Sequence, residues 1–186
     1  MTFHSPRQHG PWTINDSKAV YRDPWLSVRV DDVVRPDGLP GTYSVVGIKP
    51  GVCVVAWQGD TVFLTSEFHY AVGRTTVEGV SGGRDEGESD LVAAKRELKE
   101  ELGITAQVWQ PLMTVDPFTA SVVSPTALFL ASGLEFGKRQ LEGTEQIQMV
   151  ERSIQQAYDD VCTGNISHAP SCLAIMTLWI QQQQFD

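Results

Sequence analysis

The stretch Gly83–Ile104, GRDEGESDLVAAKRELKEELGI, decides how this 186-residue chain is read. From Ser89 to Gly103 it has the form of one helix. Ser89 is a residue type whose hydroxyl accepts from a first-turn amide, and Gly103 supplies a left-handed stop. On a wheel of about 100° per residue, Leu91, Ala94, Leu98 and Leu102 fall within about 80° and form an apolar stripe. Glu97, Glu100 and Glu101 fall on a separate arc, with Arg96 one turn from Glu100. Like charges three or four residues apart on a helix repel by about 0.2–0.5 kcal/mol a pair, and carboxylates in the last turns also oppose the macrodipole. Such a face is either simply solvated or held for a partner of opposite charge. Just upstream, Gly79-Val80-Ser81-Gly82-Gly83 reads as a glycine-rich turn that lets a backbone come close to something, which favours the partner. Clustered carboxylate oxygens suit a hard divalent cation, Mg²⁺ or Mn²⁺.

Outward from this helix, composition bounds the rest. Hydrophobic residues make up 41% and charged residues 20%, which is the balance of a globular chain. A formal net charge of −9 disfavours a nucleic-acid partner. It leaves room for a small anionic substrate, because a metal or an arginine inverts the field of a site. No apolar run approaches the roughly 20 residues of a membrane span, and MTFHSPRQHGPW has no apolar signal core. Cys53, Cys162 and Cys172 are far apart and form no CxxC pair, so reduced thiols in a cytoplasmic protein are expected.

The β-rich runs KAVY, WLSVRVDDVV and GTYSVVGI are separated by turn signals, notably Pro36-Asp37-Gly38. GVCVVAW and TVFLTSEFHY flank Gln58-Gly59-Asp60 as a hairpin. After the glutamate helix come AQVWQPLMTV, TALFLASGLEF and EQIQMV, then helices over Ser153–Thr163 and from about Ser171 to Gln184. Strands before and after a central helix predict an α/β (α+β) sandwich.

Gly82, five residues, Glu88, seven residues and then Arg96-Glu97-Leu98-Lys99-Glu100-Glu101-Leu102-Gly103-Ile104 resemble the Nudix box, G-x5-E-x7-R-E-U-x-E-E-x-G-U with U apolar. Every specified position is filled, and chance would do this in a chain of this length on the order of 10⁻⁷ of the time. The resemblance implies an α/β/α sandwich with a mixed sheet, here residues 47–186, behind a small N-terminal antiparallel β region, residues 1–46. It also implies hydrolysis of a nucleoside diphosphate linked to another moiety, with Mg²⁺ or Mn²⁺. Carried over by position, Glu97, Glu100 and Glu101 are metal ligands and Arg96 orients them. Glu88 either orients Arg96 and the helix start or touches the metal.

Within the family, Glu78-Gly79-Val80-Ser81-Gly82 resembles the E-L-P-A-G segment of ADP-ribose and ADP-sugar pyrophosphatases, with Val80 at the proline's place. In that group the glutamate and the first box residues help to bind metal, which makes Glu78 and the Ser81 carbonyl candidates. SEFHYAVGR is similar to a segment whose arginine binds phosphate; His69 stands at that arginine's place, and Arg74 is the alternative donor. GTEQIQMV resembles the group's acidic loop, so Glu145 is the first candidate for the general base and Glu142 the second. The group's N-terminal strands commonly interlock in a homodimer and its aromatics clamp adenine. Trp12 and Tyr43 lie at roughly matching positions, where packing in the core or at a dimer seam is the alternative role. His168 is expected to be a cap or loop histidine. ADP-ribose, cleaved to AMP and ribose 5-phosphate, is the substrate this resemblance implies, with a GDP-sugar next. A non-catalytic ligand sensor would have an eroded box, and an isopentenyl diphosphate isomerase would need a reactive cysteine near the substrate.

Overall fold

The computed structural model describes residues 6–141, 143 and 146–184. The chain divides into two units, the first taking residues up to Lys49 together with Asp116–Ser124, the second Pro50–Val115 and the chain from Pro125 onward.

The first unit is a five-stranded sheet built from β1 (Arg7–His9), β2 (Trp12–Arg22), β3 (Leu26–Val34), β4 (Pro40–Ile48) and the two-residue β10 (Val122–Val123), in that order. Its pairs are antiparallel except β10 with β4, which run parallel through Val122↔Val46. Gly38, at φ 84°, turns the chain between β3 and β4 as the Pro-Asp-Gly signal required. β2 begins at Trp12, six residues before the KAVY run. Its first half alternates too weakly to show, and it is fixed by pairing with β1 through Gln8↔Thr13. Ile14 and Val33 are the buried apolar residues of this sheet, while Val20, Tyr21 and Trp25 are exposed.

In the second unit, the strands β5 (Gly51–Gln58), β6 (Thr61–His69), β9 (Ile104–Val115), β11 (Thr126–Phe136) and β12 (Gln148–Ser153) run in the order β12-β6-β5-β11-β9, with β7 (Arg74–Glu78) on β6 and β8 (Val80–Gly83) on β5. The sheet is mixed, since β11 is parallel to β5 and antiparallel to β9. β5 is apolar throughout because both of its faces are covered. Val52, Val54 and Ala56 pack with Ala94, Leu98 and Leu102 of α1 (Asp90–Leu102). Val55 points the other way, into a cluster with Ile154 and Ala157 of α2 (Ile154–Cys162) and Ala174, Ile175 and Leu178 of α3 (Ala169–Gln183). This is the α/β/α sandwich expected. No helix among the described residues is long and apolar enough to cross a membrane.

Two local expectations are corrected. The glycine-rich segment before α1 is not a turn but β8, paired to β5 through Cys53↔Ser81 and Val52↔Gly82. Gly and Ser leave no side-chain period to read, yet their small size suits a strand pressed against a helix. On α1, Leu91 is 38% exposed, whereas Glu97 and Glu101 are only 9% and 6% exposed. The helix therefore turns Glu97 and Glu101 toward the protein, while Glu100 stays half-exposed.

Candidate active site on the glutamate helix

The ends of α1 hold its register. Ser89 accepts from the Val92 amide at 3.3 Å, and Gly103, at φ 67°, donates to the Lys99 carbonyl at 3.0 Å. That register sets the Glu97 carboxylate against the α-carbon of Gly82 on β8, where any side chain would collide with it. Arg96 spends all five guanidinium N–H groups in this corner. Nε and Nη2 grip Glu88 at 3.1 and 3.0 Å, Nη1 bonds Glu97 at 2.7 Å and Glu100 at 3.1 Å, and Nη2 also reaches the Gly83 carbonyl at 2.9 Å. The bonds to Arg96 hold the Glu88 carboxyl below its ordinary range, and Glu88 in turn raises Arg96. Glu88 also accepts from the Asp85 amide at 3.1 Å, so it ties the helix entrance to Arg96.

One guanidinium neutralises at most one of the three carboxylates that it touches, and Glu101 is buried one turn from Glu97. Acidic oxygens held this way fit a hard cation. Among the described residues no three His, Cys, Asp or Glu side chains converge as a ready-made cage. Mg²⁺ does not require one, since it is normally held by one or two carboxylates together with waters and phosphate oxygens. Glu97, Glu100 and Glu101 are the side chains that would hold such an ion, with the Ser81 carbonyl of β8 as a backbone donor.

Glu78, at the end of β7, is the centre of a second cluster. Its Oε1 accepts from Thr76 at 2.6 Å and lies 3.4 Å from His69 Nε2, while its Oε2 lies 3.3 Å from His168 Nδ1. His168 is the N-cap residue of α3, and burial pushes its imidazole below the usual range against the pull of Glu78. His168 beside Glu78 and Ser171 beside Gly79 were not legible, because these contacts join the end of β7 to α3. Arg74 is exposed at the start of β7 and donates to Ser167 at 2.9 Å. Cys53 is fully buried, and that burial pushes its thiol up to about 11, against a role as a thiolate nucleophile. Glu145 and Glu142 lie outside the described residues.

In the first unit, Trp12 and Tyr43 meet edge to face, with ring centroids 5.4 Å apart, and the Tyr43 hydroxyl donates to the Ala120 carbonyl. Both line a cavity of about 520 Å³ with Ile14, Val33, Arg29 and Asp31. That volume lies within the usual range for small-ligand sites. Asp31 is 2% exposed and takes Arg29 Nε on both oxygens at 3.2 Å. Sequence reasoning singled out the two aromatics and missed the ion pair beneath them, since alternate charges on a strand ordinarily face solvent.

A family model described as the NUDIX domain matches residues 47–158. The chain belongs to the Nudix family. A second model, described as the nucleoside diphosphate sugar hydrolase N-terminal domain, matches residues 12–46. The Nudix chain is 27% identical over 166 residues to an ADP-ribose pyrophosphatase of Bacillus subtilis (strain 168), covering 84% of this chain and 86% of the relative. It is 26% identical to an ADP-ribose pyrophosphatase of Mycobacterium tuberculosis (strain ATCC 25618 / H37Rv), over 87% and 80%. A solved structure titled as an ADP compounds hydrolase shares the fold, with a TM-score of 0.78, 22% identity and 98% of both chains covered. The protein is thus a Nudix hydrolase, and its likeness is to the ADP-ribose pyrophosphatase subgroup.

Proposed function

We propose that this Nudix hydrolase cleaves the pyrophosphate of ADP-ribose to AMP and ribose 5-phosphate in the presence of Mg²⁺, with Mn²⁺ as a substitute. The observation that carries the reading is the burial of Glu97 and Glu101 on the face of α1 turned toward β8, with Glu97 seated on Gly82. A divalent cation bound among these carboxylates would supply positive charge to the pyrophosphate oxygens. Glu97, Glu100 and Glu101 hold it, Arg96 and Glu88 keep those side chains in place, and Glu78 and the Ser81 carbonyl complete the donor set. Glu145, or failing that Glu142, takes a proton from the attacking water. The water oxygen then bonds to one phosphorus as the bridging P–O bond breaks and the released phosphate keeps the bridging oxygen. His69 or Arg74 binds the phosphate that water does not attack, and Trp12 and Tyr43 hold the base.

A GDP-sugar is the second reading, favoured by the N-terminal match, whose description names nucleoside diphosphate sugars without specifying the base. Purified protein with Mg²⁺, offered a panel of nucleoside diphosphate derivatives with products separated by chromatography, decides between them. ADP-ribose should be turned over fastest and triphosphates slowly. GDP-mannose in first place would transfer the assignment to the second reading, and a triphosphate in first place would end both.

A further inference from the structure

β5 and β6 pair only next to their turn, through Ala56↔Phe63, Trp57↔Val62 and Gln58↔Thr61. Beyond that they fork, and the chain from Arg74 to Gly83 fills the gap, as β7 on β6 and β8 on β5. Gly79 sits at the crossing between the two ladders. Its backbone N–H bonds the hydroxyl of Ser171 at 2.8 Å, across 92 residues of chain. Ser171 is fully buried near the start of α3. A side chain at Gly79 would press on the Val54 carbonyl and Cys53 Sγ, at 2.9 and 3.1 Å, so only glycine lets the backbone lie this close to β5 and meet the serine.

The hydrogens around Ser171 can be assigned. Its Oγ lies 2.8 Å from Gly79 N, 2.8 Å from His168 Nδ1 and 3.6 Å from Cys53 Sγ. Gly79 N–H can only donate. His168 Nδ1 also lies 3.3 Å from the Glu78 carboxylate, where a bare nitrogen lone pair would be repelled, so Nδ1 carries the proton. Two donors then fill the two lone pairs of Ser171 Oγ, and its own hydrogen points at Cys53 Sγ. The arrangement clamps Glu78 by its side chain and Gly79 by its backbone, from the sheet face opposite α1.

We propose that Ser171 and His168 are positioning residues that fix Glu78 and the Ser81 backbone for the divalent cation; this rests on the metal-binding reading given above. Residues that orient ligands from behind typically weigh about 10- to 100-fold in metal affinity. The test is Mn²⁺ binding measured by EPR, without substrate, on the full chain and on Ser171→Ala, His168→Asn and His168→Leu, with Glu97→Gln as the reference for a lost ligand. Asn places an N–H where Nδ1 stands, and Leu does not. Ser171→Ala and His168→Leu should each weaken Mn²⁺ by about tenfold or more. His168→Asn should stay within about threefold of the parent although its thermal stability is no higher than that of His168→Leu. The Mg²⁺ concentration for half-maximal turnover should rise in step, with KM for ADP-ribose unchanged. Parent-like Mn²⁺ affinity in both Ser171→Ala and His168→Leu would overturn the inference and leave the metal reading intact. A parent protein that binds Mn²⁺ no better than Glu97→Gln would overturn both. If Ser171→Ala does not fold, the two His168 variants decide: equal affinity in Asn and Leu counts against the proposal.

Discussion

At the scale of single residues, Gly82 and Glu97 are one device written fifteen positions apart. The strand comes close enough for the carboxylate to rest on the glycine α-carbon, so Gly82→Ala forces the two apart. Overpacking of this kind typically costs about 1–3 kcal/mol, and here it falls on a candidate ligand. We expect turnover to fall by more than tenfold, with the melting temperature lowered by only a few degrees; a variant with parent turnover would show that Glu97 need not sit there. Asp31 gives a pH-dependent case. Burial pushes its carboxyl up, but the bonds from Ser17 and Arg29 outweigh this, and the net shift is downward from the ordinary 3.8. A folded value below the unfolded one contributes stability above the unfolded pKa, and that stability is lost as pH falls through the folded value. Melting temperature should therefore drop as pH falls below about 4, and Asp31→Asn should lower it near neutrality and flatten the acid limb. An unchanged acid limb in the variant would rule out Asp31 as its source.

At the scale of elements, α1 is the best test of how helix signals translate into stability. Ser89→Ala removes the acceptor for the Val92 amide and should cost about 1 kcal/mol in denaturant titration, with the slope unchanged. The same helix shows what the sequence revealed and what it did not. Ser89, Gly103 and the leucine spacing placed it within a residue or two, because caps and period are local. The burial of Glu97 and Glu101 was hidden, because a periodicity argument assigns charge to the solvent side. β8 was hidden for the opposite reason, since Val80-Ser81-Gly82-Gly83 has almost no side chains to alternate. The Nudix box was legible because its residues lie within one short segment. The corner of Ser171, His168, Glu78 and Gly79 was not, since it joins β7 to α3 and no spacing rule reaches across 92 residues.

At the scale of the whole molecule, the first unit leaves Val20, Tyr21 and Trp25 exposed at 51%, 54% and 69%. Large apolar side chains gathered about one hairpin call for a covering surface, and we propose a second copy of the same strands about a two-fold axis. Light scattering should report a dimer at micromolar concentration. Deletion of residues 1–40 should give a monomer that binds Mg²⁺ but no longer ADP-ribose; a fully active monomer would contradict this. Beneath the proposed function lies the claim that Glu97, Glu100 and Glu101 of α1 hold the cation that drives pyrophosphate hydrolysis. Its most direct test is kcat for ADP-ribose at saturating Mg²⁺ in Glu101→Gln and Glu100→Gln, beside the parent, with folding followed by circular dichroism. We expect loss of about 10²-fold or more in both, equivalent to about 3 kcal/mol of transition-state stabilisation, with the fold intact. Turnover near that of the parent in both folded variants would contradict the account.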